Sequence, residues 1–377
     1  MNKRIYFFAN FGRWDRQPYG GGEIGNRRTL AMMWRAGYEV HPIGKYNRVF
    51  KRTLPDILII PLLMLWSFIK FSFVMLVGRR NSSLVHVVGF YGSTIYFEHL
   101  LVSISHLLGY LTIYEMRGGG ATDHYANGTR CYRRTFEATV RHADVIFSQG
   151  MENKPLIDSI APGKRFFYYP NCVGQDFCPE TFPVKANDSI KLLYFGRISR
   201  QKNVEVVIDT FNLLAERRSD FRLDIVGNCT EPGYAEEIRQ HIKASPFASH
   251  ITMHPACSHQ NLKEILSDKH IYLFPTAEPR EGHSNALTEA MSWGLVPIAT
   301  DKGFNRTIIG NDALIVGQPS AESFAEVVSR IIEKGELNDL SRESYQRVQD
   351  NYTEPIIYNR LKEEYDTLFK IEADTIP

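Results

Sequence analysis

The sequence predicts an α/β protein of two doubly wound domains, on three observations. The chain has 377 residues, enough for about two domains that each bury their own core. Short apolar runs alternate with longer segments of helical period, the pattern of parallel βαβ units. Between 170 and 188 the alternation gives way to a stretch rich in Pro, Asn and Gly, which reads as an interdomain hinge. The expected division is 1–172 and 173–352, followed by a helix from 353. Apolar and charged fractions, 44% and 23%, are ordinary for a globular chain.

The first half opens with an apolar strand over 5–9, too short for a secretory signal. A long loop through Gly20, Gly21 and Gly22 and a helix over about 23–35 follow. The spacing Gly20-x-Gly22-x-x-Gly25 matches a dinucleotide fingerprint only formally. The glycines begin about ten residues past the strand, and the next strand, 38–43, ends in Gly44-Lys45 with no acid for a ribose. Further strands are expected over 84–88, 111–115, 145–148 and 166–169, with helices over 93–108 and 129–142. The loop 116–128 follows a strand end, where sites form in such sheets. It offers Arg117 as a candidate for an acceptor or sugar, with a structural salt bridge as the alternative. Asp123 and His124 are weaker candidates.

Residues 54–78 are strongly apolar and just long enough to span a bilayer. Three readings compete: a transmembrane helix, a buried core helix and an interfacial helix. Spanning would put the strands on either side of it, apparent members of one sheet, on opposite sides of a membrane. Lys70 and Pro61 also weigh against it. The interfacial reading is preferred, with Trp66, Phe68, Phe71 and Phe73 at headgroup depth and Arg48, Lys51, Arg52, Arg79 and Arg80 beside anionic lipid. The apolar positions do not form one clean stripe. Residues 1–175 hold 22 Lys/Arg against 11 Asp/Glu, whereas 176–377 hold 22 against 31. The basic half points to anionic surfaces or acceptors. No nucleic-acid motif accompanies the charge, so the expected partners are an anionic membrane surface and a lipid-linked or glycan acceptor.

In the second half a strand over 191–195 runs into a loop carrying Gly196, Arg197 and Lys202, and Asn203 is placed to cap a helix over 204–216. Arg197 and Lys202 lie on a loop, so both are able to reach one diphosphate, the first as a fork and the second as a point charge. The alternative is two solvated cations. A strand over 221–226 ends in a tight turn at Gly227-Asn228. The most informative stretch begins after the apolar strand 270–274. There Glu281-Gly282-His283 forms a loop, Ser284 is placed to cap a helix reaching Trp293, and Gly294 ends it before a strand over 295–300. Free amides near Ser284 and Asn285 at the C-terminal edge of a parallel sheet suit a phosphate. Two nearby carboxylates, Glu281 and Glu289, then suit a sugar nucleotide. The alternative is a helix with an acidic first turn, common anywhere. A last helix over 353–371 places Ile357, Leu361, Tyr365 and Leu368 on one face. The five cysteines, 131, 172, 178, 229 and 257, contain no Cys-x-x-Cys pair, which favours reduced thiols over a zinc site or disulfide framework.

Gly196-Arg197 with Lys202, the Ile225-Val226-Gly227 turn, Glu281-Gly282 through Glu289-Ala290-Met291, Gly294 and Pro297 resemble, in this order, the retaining glycosyltransferases of family four. Pro170-Asn171 resembles the segment that closes the first domain in that family. The resemblance implies the GT-B fold, two Rossmann-like domains facing a central cleft, with the last helix returning to the first domain. It implies transfer of a sugar from a UDP- or GDP-linked donor to an acceptor hydroxyl, with retention and without a metal or other cofactor; no Asp-x-Asp motif is present. It implies that Glu281, Arg197 and Lys202 serve the reaction. Donor contacts then fall to Gly196, Gly227, Asn228, Gly282, His283, Ser284, Asn285 and Glu289, and to Gly21 and Gly22 as a glycine-rich first loop. His124 is the candidate for a sugar-contacting histidine. A lipid-linked oligosaccharide of a surface polysaccharide pathway is the expected acceptor, at the cytoplasmic face of the membrane. A nucleotide-sugar epimerase and a non-catalytic membrane-docked scaffold are the alternatives.

Overall fold

The computed structural model describes residues 3–15, 20–45, 54–186, 188–229 and 231–375. Arg48, Lys51 and Arg52 lie outside them. The chain divides into unit 1, Met1–Pro170 with Tyr358–Pro377, and unit 2, Asn171–Ile357. The sequence placed these divides at 172/173 and 352/353. Val173 bridges Thr353, and Glu354 donates to the Val173 carbonyl (2.9 Å), which ties both linkers into unit 2.

Unit 1 begins with β1 (Arg4–Ala9), α1 (Gly20–Arg35), β2 (Glu39–Gly44) and α2 (Leu54–Val77). It continues through β3 (Ser83–Gly89), α3 (Ile95–Leu107), β4 (Leu111–Met116), α4 (Ala121–Asn127) and α5 (Arg130–His142), and then β5 (Val145–Ser148), α6 (Lys154–Ile160) and β6 (Arg165–Tyr168). The six strands form one parallel sheet in the order β2-β1-β3-β4-β5-β6. β3 is buried at all seven positions, as a central strand covered on both faces must be. β2 carries Pro42, tolerated because the strand lies at the sheet edge.

Two expectations change here, and a third, the helix over 54–78, holds. The Gly20–Gly22 loop is the first turn of α1. The 116–128 loop contains α4, which carries His124. The 54–78 segment is a single helix, α2, with Pro61 inside it.

Unit 2 contains β7 (Ile190–Phe195), α7 (Val204–Ala215), β8 (Phe221–Val226), α8 (Tyr234–Ala244), β9 (Ile251–His254), α9 (His259–Leu266) and β10 (Ile271–Phe274). After these come α10 (Asn285–Ser292), β11 (Val296–Thr300), α11 (Asn305–Ile309), β12 (Ile315–Val316), α12 (Ala321–Glu333) and α13 (Leu337–Asn351). Its parallel sheet runs β12-β11-β10-β7-β8-β9. That is the Rossmann order, with its reversal point between β7 and β10, where the loops leaving neighbouring strands diverge and open a crevice.

The last helix, α14 (Glu354–Thr375), starts in unit 2 and is otherwise part of unit 1. Ile357, Leu361, Tyr365 and Leu368 are all buried, as their one-sided spacing predicts. Tyr365 reaches β3 with its hydroxyl 2.6 Å from His86 Nδ1. Leu361→Ala should therefore cost about 2–5 kcal/mol, mainly as a cavity. A fall in the urea midpoint at unchanged m-value would show it, and an unshifted midpoint would mean that α14 does not hold unit 1 together.

Candidate functional site

The loops leaving β7 and β10 meet at the reversal point of unit 2. β7 ends at Gly196, whose φ of +140° few other residues adopt. A Cβ on Gly227, at the end of β8, would run into the Gly196 carbonyl oxygen. Glycine at 227 thus lets two strand-end turns abut. Ile198 then donates to the Asn228 carbonyl (3.0 Å), and the Tyr194 hydroxyl donates to the Arg197 carbonyl (2.7 Å), which fixes the loop carrying Arg197. Arg197 itself is exposed.

Beyond Arg197, a single tight turn over Arg200–Lys202 directs Lys202 inward. The ammonium of Lys202 forms an ion pair with Glu281 Oε2, and both side chains are about nine-tenths buried. The Thr276 hydroxyl donates to the same oxygen (2.8 Å), and the Phe274 ring lies 4.9 Å from the Lys202 nitrogen. Ala277 donates to the Gln201 carbonyl (2.7 Å), and Asn203 Nδ2 donates to the Pro275 carbonyl (2.8 Å). Asn203 adopts φ +49° and makes no side-chain cap, so it joins the two loops instead of starting α7 as the sequence suggested. Gly303, at φ +54°, lies where a Cβ would meet the backbone of Glu281.

Ser284 caps α10 by accepting from the Leu287 amide (3.3 Å). Helix geometry leaves the amides of Asn285 and Ala286 without intrahelical acceptors, beside the positive end of the dipole. Asn285 Oδ1 is buried without a partner. Glu289 is half-buried one turn further on, with His259 Nε2 3.9 Å away. A cleft of about 520 Å³ opens beside Gly227 and Asn228, lined also by Arg239, His254 and Pro255; Lys202 and Glu281 are not among its walls.

The structure thus brings Gly196, Lys202, Glu281, Gly282, Ser284 and Asn285 to one crevice edge, with Gly227 and Asn228 on the next strand end. Sequence reasoning passed over Thr276, although it is the only hydroxyl residue between β10 and Glu281. It also expected Arg197 and Lys202 as a joint cationic clamp. Here Lys202 is already neutralised by Glu281, and of the two cations Arg197 stands open. His283 is buried. The ring is buried against Tyr352 (centroids 5.1 Å apart), and neither nitrogen has a partner.

The other candidates lie in unit 1. Gly21 and Gly22 are helical in the first turn of α1, which leaves no flexible loop there. Arg117 is buried, with Nε 2.6 Å from Glu115 Oε1 and Nη2 3.4 Å from Thr29 Oγ1. His86 Nε2 lies 2.9 Å from Glu115 Oε2. A carboxylate only accepts, so Nε2 carries the proton and Nδ1 accepts from Tyr365. Burial holds His86 neutral by lowering its pKa. Burial alone would raise that of Glu115, but Arg117 and His86 reverse this and hold it at about 2. Arg117 is thus a buried ion-pair residue. His124 lies edge-on to Tyr91, centroids 6.0 Å apart.

Burial lowers the pKa of His283 to about 3. The folded protein refuses a proton that the unfolded chain takes near pH 6.5. This contribution is complete above about pH 6.5 and is lost as pH falls toward 3, at up to about 1.4 kcal/mol per pH unit. His283→Phe should flatten the acid limb of the urea midpoint against pH; equal limbs in both proteins would mean that the ring is hydrated or paired.

Residues 180–348 match the family model glycosyl transferases group 1. The capsular polysaccharide biosynthesis glycosyltransferase CapM of Staphylococcus aureus is 21% identical over 239 residues, covering 62% of this chain and 60% of CapM. The phosphatidylinositol N-acetylglucosaminyltransferase gpi3 subunit of Schizosaccharomyces pombe is 22% identical over 304 residues, covering 78% and 63%. The chain therefore spans less than two thirds of the length of either relative. Among solved structures, a glycosyltransferase from Rickettsia africae superposes with a TM-score of 0.74 at 14% identity, covering 98% of this chain and 99% of the other. Anabaena HepE, crystallised with UDP, superposes with a TM-score of 0.68 at 10% identity, covering 97% and 100%. Two parallel six-stranded sheets with these strand orders are the GT-B fold, and the part of unit 2 over 180–348 is similar to the glycosyl transferases group 1.

Proposed function

We propose that this protein is a retaining glycosyltransferase of family four. It moves a sugar from a UDP- or GDP-linked donor to an acceptor hydroxyl. One observation carries the reading: Lys202, Thr276 and Glu281 are locked together at the reversal point of unit 2, beside the N-terminus of α10. A crevice with a positive helix end, the open Arg197 and a Lys202 that a phosphate can draw from Glu281 suits a diphosphate; the adjacent carboxylates suit sugar hydroxyls. HepE, of the same fold, was crystallised with UDP and with UDP-glucose, which supports the same donor class here.

In this proposal the diphosphate lies across Ser284 and Asn285. Arg197 and Lys202 stabilise it as it leaves, and they and the helix end make a metal unnecessary. Glu289 bonds the ribose diol. Glu281 orients the sugar as Lys202 turns toward the phosphate. The acceptor oxygen bonds to C1 on the face the diphosphate departs from. The C1–O bond to phosphate breaks with its electron pair, and the acceptor proton passes to a phosphate oxygen, so configuration is kept. The role of CapM in capsular polysaccharide biosynthesis and the basic first half support a lipid-linked oligosaccharide acceptor. Five free cysteines support a cytoplasmic site of action.

Lys202→Ala should lower donor turnover about 10²–10³-fold, as should Glu281→Gln. Truncating one partner of a buried pair also costs about 3–5 kcal/mol of stability, so a melting curve accompanies each assay. Arg197 is exposed, and Arg197→Ala separates the effects: the fold should survive while turnover falls. Folded variants with near-normal turnover of UDP- and GDP-sugars would refute the assignment.

A further inference from the structure

α2 is apolar on two opposite faces. Phe71 and Met75 are fully buried in the unit 1 core, with Met64, Phe68 and Val74 packed beside them. Half a turn away, Leu62, Leu65, Trp66, Ile69, Phe73 and Leu76 recur at helical spacing and are 49–65% exposed. Over Ile59–Val77 the mean hydropathy is 2.1, yet only 17% of that stretch is buried. Neighbouring α3, also packed on this core, exposes Tyr96, Leu100 and Leu107 along one face of its own. Exposed apolar residues gathered along one face of each of two neighbouring helices mark an interaction site.

We propose that the outward faces of α2 and α3 form one docking surface that lies in the headgroup region of an anionic lipid bilayer, parallel to its plane. The helix does not span. β2 and β3, on either side of it in sequence, both pair with β1, so both ends of α2 stay with one sheet. The occupant follows from charge. Residues 59–77 contain no acid, and the one acid of α3, Glu98, is buried. Exposed Lys70 borders the stripe and exposed Arg80 follows its end. A second copy docked here would bury Lys70 with no acid on the face to answer it. A bilayer takes the apolar stripe into its acyl boundary and leaves Lys70 and Arg80 among phosphates. This surface is independent of the glycosyl-transfer reading.

The test is co-sedimentation of the full chain with vesicles of phosphatidylcholine, alone or mixed with phosphatidylglycerol. The native protein should pellet with the anionic vesicles. Leu65→Glu with Phe73→Glu should lower the bound fraction at least about tenfold without changing the melting temperature, because both side chains are exposed. Lys70→Glu with Arg80→Glu should lower binding to anionic vesicles about fivefold or more and erase the preference for them. A native protein that stays in the supernatant overturns the proposal, as does a Leu65→Glu, Phe73→Glu double variant that pellets as well as the native protein. So does a dimer that the same two substitutions dissociate in the absence of lipid binding.

Discussion

Lys202 and Glu281 come from different strand-end loops, and neither charge is sustainable in its buried position without the other. Desolvation of a lone ion at either site would cost several kcal/mol; together, with the Thr276 hydroxyl on the same oxygen, the two are tolerated. The pairing fixes how the loop after β7 sits against the loop after β10. Asn203 and Gln201 add hydrogen bonds between the same loops, and Gly303 admits the backbone of Glu281 where a larger residue would not fit. The loops that wall the crevice are bonded to each other by backbone and Asn203 contacts that do not depend on the Lys202 ammonium. A pair held this way balances its own charge, so the crevice does not carry an unanswered buried cation.

Unit 1 uses its buried charges differently. Tyr365, His86, Glu115 and Arg117 form a chain of contacts from α14 through β3 to the end of β4. Thr29 of α1 extends it to the Tyr169 hydroxyl at 2.8 Å. The hydrogen bonds at His86 Nδ1, Glu115 Oε1 and Thr29 Oγ1 satisfy polar atoms that burial would otherwise penalise. The arrangement specifies how the last helix docks, because an apolar helix face alone would tolerate small rotations. Arg117 is tied into this network through Nε and Nη2, which is why it reads as architecture despite its place at a strand end.

Elements whose signal is local were legible in the sequence. Strand β5 and the cap of α10 by Ser284 fall where pattern and cap chemistry put them. Misreadings arose where a distant residue decides. Three consecutive glycines argue for a loop on propensity, but the chain places them in a helical turn that begins α1. Asn203 looks like a cap until Pro275, remote in sequence, offers its carbonyl. The burial of His283 depends on Tyr352, likewise remote. The ion pair of Arg117 was the more readable case, since residues two apart at a strand end share a face and Glu115 was in view. That Lys202 and Glu281 pair with each other was not readable, because nothing in either local stretch names the other.

α2 shows why amphipathic periodicity is an incomplete guide. A periodicity signal reports contrast between faces and not how apolar a helix is. When both faces are apolar the contrast cancels, and the helix resembles a membrane span or a core helix. Burial restores the distinction: Phe71 and Met75 close the core on one side, while Trp66 and Phe73 stand outside it. Water does not reward such an outward stripe, at roughly 25 cal/mol per Å² of apolar surface left wet. Folding of unit 1 requires only the inner stripe. The outer stripe must be explained by something other than the stability of the unit that carries it.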